Sequence, residues 1–358
     1  MSVYHIACGG TGGHFYPGLA IAERLMQEGH EVRLFVSTKK IDADMLSPYS
    51  HYSSVKLDVE GWPGLSTRLI SFSLKLWKAY GQCCSHIKSE QPVAVLGMGG
   101  FSCVPLLLAA KRLGVRAYIH ESNAIPGKAT RIMAPFMDRV LLGLGSCADR
   151  LTGINVLTTG TPVRSTIKTV DQLEARESFA VEDKTVVAVM GGSQGARAIN
   201  KMVCGTLEKL GSVLDDIVWI HIAGSSEEEA VCREIYSQHQ ANARVMSYCH
   251  HMERVYAASD VVVARAGAAT LAECAWFGLP AILVPYPYAA ENHQKYNAMD
   301  YMARGSGWMV EEGESAAHDL AKALIELLNQ KNEWAKRREQ FRQKGSDDAV
   351  EQIVEVLK

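Results

Sequence analysis

The sequence predicts an α/β fold of two Rossmann-like domains, whose parallel sheets face one another across a cleft. Short β-rich apolar runs alternate with helix-patterned segments along the chain. This alternation breaks at residues 158–162 and then restarts. The first strand of each half enters a glycine-rich turn. A chain of 358 residues that is 47% hydrophobic can bury two cores. We therefore expect domains at 1–160 and 161–340, followed by a C-terminal helix at 341–358.

The first half contains five predicted strands and two predicted helices. Each strand is a short apolar run, and each helix is long enough to cross over between parallel strands. The strands are expected at Val3–Cys8, Val32–Ser37, Val93–Met98, Arg116–His120 and Arg139–Gly143, and the helices at Pro17–Gly29 and Ser102–Gly114.

The second half repeats this alternation. Its strands are expected at Thr185–Met190, Ile217–Ala223, Val261–Arg265 and Ala281–Val284, and its helices at Ala196–Leu210 and Ala268–Phe277. From Ala316 onward the pattern is typical of surface helices. An apolar stripe at helical spacing is formed there by Leu320, Ala323, Leu324 and Leu327.

The glycine-rich turns Gly9–Gly13 and Gly191–Gly195 each follow a first strand. Glycines at such a turn let backbone N–H groups approach a phosphate, although a tight turn that only packs the helix on the sheet has the same pattern. The first turn does not fit the G-x-G-x-x-G dinucleotide fingerprint, and neither turn has the Lys-Ser/Thr of a P-loop. The two turns therefore argue against NAD and ATP as ligands.

Composition excludes several other classes of function. A formal net charge of -2 argues against binding nucleic acid, and nine cysteines without a C-x-x-C pair argue against zinc and disulfides. The N-terminus enters a strand at once, so we expect no cleaved signal. The longest apolar stretch, Val104–Ala110, is far shorter than the ~20 residues of a spanning helix. Any membrane contact should be peripheral.

An acidic D-x-D sequence occurs at Asp42-Ala43-Asp44, a pattern that can bind a metal. It stands in a polar stretch, and carboxylates are favourable at the start of a helix. We therefore expect a solvated helix start here and no metal site.

The segment from 61 to 89 contains four cations and no acidic residue, and in helical register it has two apolar stripes. A helix packed on a sheet needs only one stripe. The inner stripe is Leu69, Phe72, Leu76, Cys83 and Ile87, and the outer stripe is Ile70, Leu74, Trp77 and Tyr80. The outer stripe predicts contact with an anionic membrane surface, unless a neighbouring loop buries it.

Several motifs occur in order along both halves, and together they resemble the bacterial peptidoglycan N-acetylglucosaminyltransferases that convert lipid I to lipid II, the MurG family. Members of that family have the GT-B fold. The resemblance extends from about residue 5 to about residue 300. The motifs are Gly9–His14 with Pro17 and Gly18, Gly97–Gly100, His120–Asn123, Gly160–Arg164, Gly191–Arg197, and Arg265–Ala268 with Thr270 and Glu273.

The resemblance implies an inverting transfer of N-acetylglucosamine from UDP-GlcNAc to lipid I, undecaprenyl-diphosphate-MurNAc-pentapeptide. It implies a peripheral enzyme on the cytoplasmic face of the bacterial inner membrane, acting in peptidoglycan synthesis and hence in cell shape and division. Cell-wall assembly proteins are possible partners, and no cofactor or metal is expected. Two alternatives remain: a non-hydrolysing UDP-GlcNAc 2-epimerase, and a non-catalytic nucleotide-sugar-binding scaffold.

Glu273 has two interpretations. Thr270-x-x-Glu273 matches a capping box, a structural motif at a helix start. The resemblance instead implies that the Glu273 carboxylate binds the two ribose hydroxyls of the nucleotide, while amides near Ala269 and Thr270 meet the pyrophosphate.

The resemblance implies further donor contacts. Arg164 and Ser193 would meet the charge of the pyrophosphate, Gln294 would contact sugar hydroxyls, and Cys249 would contact the uracil through its backbone. His293 stands where many members have a second glutamine. Ser122 stands where the family usually has a glutamine. The remaining donor-binding residues are Asn123, Gly192, Gln194, Gly195, Ala268, Leu271 and Ala272.

Two residues are candidates for the base that removes the acceptor's proton. His14 follows the first glycine turn, although a lone histidine is often structural. The resemblance implies that His14 is a base or orients the acceptor, that Glu121 competes for the role of base, and that Thr11, Gly12 and Gly13 hold the acceptor's diphosphate.

Overall fold

The computed structural model describes residues 1–61, 63, 69–181, 184–192, 195–305, 307–330, 333–334, 338 and 348–358. The chain divides into two compact units. The first is Met1–Arg164 together with Asp347–Lys358, and the second is Ser165–Ser346. The expected domains were 1–160 and 161–340, with a C-terminal helix at 341–358.

In the first unit, the described residues form a parallel sheet of seven strands in the order β3-β2-β1-β4-β5-β6-β7. The strands are β1 (Val3–Ala7), β2 (Glu31–Ser37), β3 (Ser54–Leu57), β4 (Ala94–Gly97), β5 (Arg116–Glu121), β6 (Arg139–Leu142) and β7 (Val156–Thr158). The helices are α1 (Gly12–Gln27), α2 (Lys40–Leu46), α3 (Leu69–Glu90), α4 (Val104–Arg112) and α5 (Lys128–Met133).

In the second unit, the described part of the chain forms a parallel sheet of six strands in the order β10-β9-β8-β11-β12-β13. The strands are β8 (Thr185–Met190), β9 (Ile217–Ile222), β10 (Asn242–Met246), β11 (Val261–Ala264), β12 (Ala281–Leu283) and β13 (Gly307–Met309). The helices are α6 (Gln172–Phe179), α7 (Arg197–Thr206), α8 (Ser226–Gln238), α9 (Met252–Ala258), α10 (Ala268–Trp276), α11 (His293–Ala303) and α12 (Ala316–Asn329).

The last helix, α13 (Ala349–Leu357), packs on the first unit. Its apolar face joins the core under α1, where Ile353 and Leu357 are buried. Arg24 of α1 donates to Glu351 at 2.6 Å, and Lys358 pairs with Glu28 at 2.8 Å. The end of the chain therefore completes the core of the domain that its beginning forms.

All nine predicted strands are confirmed, and they are the interior strands of the two sheets. The four strands that were not predicted, β3, β7, β10 and β13, are the four edges. Interior strands are buried on both faces and so form continuous apolar runs, whereas edge strands are shorter and more polar. For example, β10 is only partly buried along most of its length.

The first helix begins at Gly12, five residues before its predicted start. Glycine has a low helix propensity, so Gly12 and Gly13 give no local sign of a helix start. Pro17 lies inside α1, where it cannot donate to the carbonyl of Gly13. The consequence is that His14 lies in the first turn of the helix. No helix among the described residues is long and apolar enough to cross a membrane.

Candidate functional site

The first glycine turn joins β1 to α1 and lies against a buried carboxylate. Gly10 has a φ of 113°, a backbone conformation that favours glycine. Its N–H donates to both carboxylate oxygens of Asp42, at 2.9 and 3.0 Å. On the other side of the turn, Ser102 donates from Oγ to the carbonyl of Gly9 at 2.6 Å. The turn is thus fixed from two sides by side chains of other elements.

The prediction that Asp42 is solvated was wrong, because Asp42 is fully buried. Its Oδ2 accepts from the backbone N–H of Ser37 at 2.7 Å and from the Ser37 hydroxyl at 2.5 Å. A buried carboxylate needs such donors, and the Gly10 N–H adds to them. Asp44, the other acid of the D-x-D sequence, is exposed. The two carboxylates therefore do not form a common metal site.

His14 is half-buried, and its ring lies against two adjacent glycines that follow β4. A Cβ added at Gly99 would be 3.2 Å from Nε2 of His14, and one added at Gly100 would be 3.1 Å from Cε1. Both glycines have positive φ, at 94° and 69°. The Gly97–Gly100 motif therefore leaves room for the imidazole ring, a role that the sequence alone did not reveal.

Burial lowers the pKa of His14, and the charges of Glu121 and Asp42 partly oppose that shift. The Thr11 hydroxyl lies 3.3 Å from Nδ1 of the ring. A lowered pKa keeps the imidazole neutral near pH 7. A neutral imidazole can accept a proton, as a general base must.

A cavity of about 170 Å³ opens beside His14. It is lined by the glycine turn and by side chains from the segments that follow β2, β3 and β4. The polar and aromatic lining includes Thr11, His14, Lys39, Glu60, Phe101 and Ser102. Lys39 brings a cation to this cavity, and the sequence alone had not singled it out.

Glu121 ends β5, and its buried carboxylate accepts four hydrogen bonds. Oε1 accepts from the backbone N–H and from Nδ2 of Asn123, both at 3.1 Å. Oε2 accepts from the Gly127 N–H at 2.8 Å and from the Thr130 hydroxyl at 2.7 Å. Glu121 thereby holds Asn123 and the start of α5 in place.

His120 and Arg164 lie at the same carboxyl end of the first sheet. His120 is fully buried, and its Nε2 lies 3.0 Å from the carbonyl oxygen of Gly160. Burial lowers the pKa of His120. The guanidinium of Arg164 lies over the ring of Tyr16, with Cζ 4.5 Å from the ring centroid. The His120–Asn123 and Gly160–Arg164 motifs are thus in contact within the first unit.

Backbone contacts hold the second glycine turn among the residues that the structure describes there. The Gly195 N–H donates to the Gly192 carbonyl at 3.0 Å, and these two glycines have φ of 72° and 86°. A Cβ added at Gly191 would be 2.2 Å from the Ala196 nitrogen, and one added at Gly195 would be 2.8 Å from Cα of Gly224. Only glycine fits these positions. Ser193 and Gln194 lie outside the described residues.

Glu273 does not take part in a capping box. The helix α10 has Gly267 at its N-cap, so Thr270 lies within the helix and cannot serve as the cap. The carboxylate instead accepts a hydrogen bond from the hydroxyl of Tyr256 at 2.8 Å. Ala268, Ala269 and Thr270 occupy the first turn of α10, where backbone N–H groups have no partner within the helix. Leu271 is buried, and Ala272 lies one residue before Glu273.

Gln294 lies in the first turn of α11, and Cys249 lies in the loop between β10 and α9. Oε1 of Gln294 accepts from the backbone N–H of Tyr286 at 2.9 Å, which fixes the side-chain amide. His293 lies with Nδ1 2.9 Å from the carbonyl oxygen of Ala290. Cys249 is half-buried in the loop before α9, and burial raises its thiol pKa. The side chain of His293 is thus held against the backbone of the turn that precedes α11.

A buried polar network lies behind the second glycine turn, and sequence reasoning did not find it. His221 of β9 is fully buried, with Nε2 3.0 Å from Oδ1 of Asn200 and Nδ1 3.1 Å from the hydroxyl of Tyr236. Nδ2 of Asn200 donates to Glu228 at 2.8 Å, and Glu228 pairs with Arg197 at 3.1 Å. The network links the core to the first residue of α7.

The helix α3 bears the predicted outer stripe. Ile70, Leu74 and Trp77 are 74%, 67% and 75% exposed. Tyr80 was assigned to this stripe, but it is only half-exposed and packs against the core, because the helix rotates it toward α4. The predicted inner stripe is the packed one, since Phe72, Cys83 and Ile87 are buried.

The cations at the edge of that stripe are not all free. Lys75 pairs with Asp58 at 3.2 Å and with Glu60, so acidic residues just before the segment neutralise part of its charge. Lys78 and Lys88 are exposed, and Arg68 lies outside the described residues. The surface formed by Ile70, Leu74 and Trp77 is therefore more apolar than basic.

Within the part of the chain that the structure describes, no three His, Cys, Asp or Glu side chains lie close enough together to hold a metal ion. The nine cysteines are free thiols. In each unit, the candidate functional residues thus lie in a glycine turn, at a helix N-terminus or as single charged side chains.

Two family models match the chain. The model of the glycosyltransferase family 28 N-terminal domain matches residues 4–142, and that of the glycosyltransferase family 28 C-terminal domain matches residues 186–353. Each match falls within one of the two parallel-sheet units, apart from the last residues of the second. The chain is therefore a glycosyltransferase by family.

Solved structures confirm the GT-B fold class. A crystal structure of MurG from Acinetobacter baumannii matches with a TM-score of 0.79 at 24% identity, over 99% of this chain and 98% of that chain. UDP-GlcNAc 2-epimerase from Neisseria meningitidis, bound to UDP-GlcNAc, matches with a TM-score of 0.69 at 13% identity, over 100% and 99%. At these identities the likeness shows the fold alone.

Curated relatives are similar over nearly the whole chain. The UDP-N-acetylglucosamine–N-acetylmuramyl-(pentapeptide) pyrophosphoryl-undecaprenol N-acetylglucosamine transferase of Desulforamulus reducens is 34% identical, over 98% of this chain and 97% of that protein. The protein of the same name from Desulfotalea psychrophila is 36% identical, over 98% and 94%. This chain belongs to the family of UDP-N-acetylglucosamine–N-acetylmuramyl-(pentapeptide) pyrophosphoryl-undecaprenol N-acetylglucosamine transferases.

Proposed function

We propose that this protein transfers N-acetylglucosamine from UDP-GlcNAc to the lipid-linked acceptor undecaprenyl-diphosphate-MurNAc-pentapeptide, lipid I, and so forms lipid II. The observation that carries the proposal is the near-full-length similarity, at 34–36% identity, to relatives named for that transfer. The reaction inverts the anomeric centre: the acceptor oxygen bonds to C1 of the sugar as the bond from C1 to the UDP oxygen breaks.

His14 is the proposed general base. Proton removal from the acceptor hydroxyl needs a neutral nitrogen with a free lone pair. When Nδ1–H donates to the Thr11 hydroxyl, 3.3 Å away, Nε2 is the nitrogen that takes the proton. The lowered pKa of His14 supports this assignment, because it keeps the ring neutral at cytoplasmic pH.

Glu121, the competing candidate, is better suited to positioning. Its carboxylate already accepts four hydrogen bonds, two of them from Asn123. Protonation of either oxygen would weaken bonds that hold the loop before α5. We therefore assign Glu121 the task of orienting Asn123, which then contacts the reacting sugars.

The donor contacts are proposed for groups that can meet a diphosphate and a ribose without a metal. A carboxylate can accept several hydrogen bonds, so Glu273 can bind the ribose hydroxyls while it accepts from Tyr256. Amides of the second glycine turn and of the first turn of α10 suit the pyrophosphate. The proposed donor set is Asn123, Arg164, Gly192, Ser193, Gln194, Gly195, Cys249, Ala268, Ala269, Thr270, Leu271, Ala272, Glu273 and Gln294.

The acceptor diphosphate is proposed to bind at the start of α1. Gly12 and Gly13 are the first two residues of that helix, and Thr11 is its N-cap. N–H groups at this position lack partners within the helix, and the helix dipole favours an anion there. Lys39 lines the adjacent cavity and can supply a compensating charge.

The exposed surface of α3 is proposed to meet the membrane that carries the lipid acceptor. One face of this helix carries three large apolar side chains that are at least two-thirds exposed. Their exposure to water is unfavourable, and their burial at a bilayer surface is favourable. On this proposal the protein is peripheral, on the cytoplasmic face of the inner membrane, where cell-wall assembly proteins are possible partners.

An epimerase would share the nucleotide and the fold, as the match to UDP-GlcNAc 2-epimerase from Neisseria meningitidis illustrates. The family relationship favours the transferase, because the relatives with more than 30% identity are named as transferases. A non-catalytic scaffold would need to retain the site residues without using them.

One experiment separates these functions. The protein is incubated with UDP-GlcNAc in the presence and absence of lipid I, and the products are identified by mass spectrometry. We expect UDP and lipid II in equal amounts, formed only when lipid I is present. Formation of UDP-N-acetylmannosamine without the lipid would identify an epimerase, and UDP-GlcNAc binding without turnover would identify a scaffold.

A further inference from the structure

Asp42 is a buried carboxylate that the proposed reaction does not use. It is fully buried, lies on α2, and contacts two other elements. Its oxygens accept from the Ser37 N–H and hydroxyl at the end of β2 and from the Gly10 N–H in the first glycine turn. One side chain thus joins a strand end, a helix and the turn that precedes His14.

The turn lies so close to Asp42 that its position depends on the carboxylate. A Cβ added at Gly9 would be only 2.6 Å from Oδ2 of Asp42. The chain continues from Gly10 to Thr11, the N-cap of α1, and His14 follows in the first turn of that helix. A shift of the Gly10 amide would therefore move the Thr11 hydroxyl and the imidazole together.

Charged and titratable groups face His14 from several elements. Glu121 and Asp42 both act on it electrostatically, from β5 and α2. His120 of β5 is close enough for the two histidines to influence each other. Lys39 and Glu60 line the cavity beside the ring. The donors to Glu121 come from Asn123, Gly127 and Thr130, outside the turn. Asp42, in contrast, accepts from the Gly10 N–H within the turn.

We propose that Asp42 is a positioning residue for transfer: its carboxylate fixes the first glycine turn so that His14 meets the acceptor hydroxyl. The inference rests on the proposed function. It extends that function to a residue that does not touch the substrates. It also gives a reason for the buried charge, because neutral groups could hold the turn if the role of Asp42 were only structural.

The test compares Asp42→Asn with Asp44→Asn in the lipid II assay. The two residues lie on the same helix, one buried and one exposed. Asparagine keeps the size of Asp42 but loses the charge and can accept through only one oxygen. We expect at least a tenfold lower kcat for Asp42→Asn, since small displacements of a catalytic group cost 10–100-fold. The KM for UDP-GlcNAc should stay within twofold, and Asp44→Asn should match the wild type.

The pH profile separates positioning from a loss of structure. The negative charge of Asp42 raises the pKa of His14, so its removal should move the acid limb of the kcat/KM profile to lower pH. Ser37→Ala removes one donor to Asp42 but keeps the charge. It should lower kcat less and leave the acid limb in place.

Each outcome has one meaning. A wild-type protein that makes no lipid II would overturn the proposed function itself. If the wild type is active but Asp42→Asn behaves like Asp44→Asn, the inference is wrong. It is also wrong if Asp42→Asn loses activity with an unchanged acid limb, because a merely structural tie gives that result.

Discussion

The two glycine turns share a local structure but are held by different chemistry. Each follows the first strand of its sheet and opens a helix. The first is held by the Asp42 carboxylate and leads to His14, whereas the second is held by the Gly195–Gly192 backbone bond and leads to Arg197. The charge of Asp42 raises the pKa of His14, whereas Arg197 is paired with Glu228 in the polar network behind its turn. The difference teaches that two turns with similar glycine patterns can be held by different groups and can place different side chains at the start of a helix.

The largest expected effect is on the first turn. His14→Asn should lower kcat by about 10²–10⁴-fold, the usual contribution of a general base, while the dissociation constant of UDP stays near the wild-type value. Asparagine can make hydrogen bonds but cannot take the proton, so His14→Ala should behave similarly. The measurement is lipid II formation alongside UDP titration calorimetry. Loss of UDP affinity with unchanged kcat would make His14 a donor-binding residue. The first turn would then have no role in proton removal that distinguishes it from the second.

The second prediction concerns the network behind the second turn. Burial lowers the pKa of His221 to about 4, below its unfolded value of about 6.5. The associated stability is fully present above pH 6.5 and is lost as the pH falls toward 4, by on the order of 3 kcal/mol. His221→Gln should lack this loss. Denaturant unfolding of both proteins at pH 7 and pH 4 measures the difference, and equal losses in the two would contradict a neutral buried His221.

The third prediction tests whether only the first unit meets the membrane. Replacing Ile70, Leu74 and Trp77 together by serine should weaken binding to anionic vesicles about a hundredfold or more, since burying each side chain contributes on the order of 1.5–3 kcal/mol. UDP binding should not change. The matched control is Leu173→Ser, because Leu173 of the second unit is 72% exposed. Vesicle sedimentation that is equally reduced in both variants would show that no specific face is used.

The fourth and smallest effect concerns the donor site. Glu273→Gln should weaken UDP-GlcNAc binding about tenfold, because the amide loses charge assistance and offers a single acceptor oxygen. Tyr256→Phe removes the 2.8 Å bond to Glu273 but keeps the carboxylate, so it should weaken binding less.

A 2′-deoxy UDP-sugar provides the cross-check for Glu273. Removing that hydroxyl should weaken binding to the wild type much more than binding to Glu273→Gln, since only the wild type has the carboxylate partner. Equal weakening in the two proteins would mean that Glu273 does not contact the ribose.

The sequence was sufficient for the parts of the fold that depend on local pattern. Interior strands such as β8 are buried on both faces and so produce apolar runs that can be recognised alone. The edge strands were missed because their pairing on one side only leaves them short and partly polar. The start of α1 was missed because the helix begins at Gly12, inside the glycine turn, and glycine has a low helix propensity.

The sequence was less informative about contacts between elements distant in the chain. Asp42 looked like a solvated helix start, because nothing local indicates that Gly10, 32 residues earlier, donates to it. The same applies to the space that Gly99 and Gly100 leave for His14, and to the Asn200–His221 network. The capping box at Glu273 matched by spacing, but the helix begins two residues before Thr270. Spacing alone could not fix that register.

The pH dependence of lipid II formation tests the central claim most directly. For the wild type, kcat/KM for the lipid acceptor should fall on the acid side with an apparent pKa below about 6.5, because burial lowers the pKa of His14 and only its neutral form accepts the proton. The residual activity of His14→Asn should lack that acid limb. An identical acid limb in His14→Asn would contradict the account, since another group, with Glu121 the first to test, would then be the base.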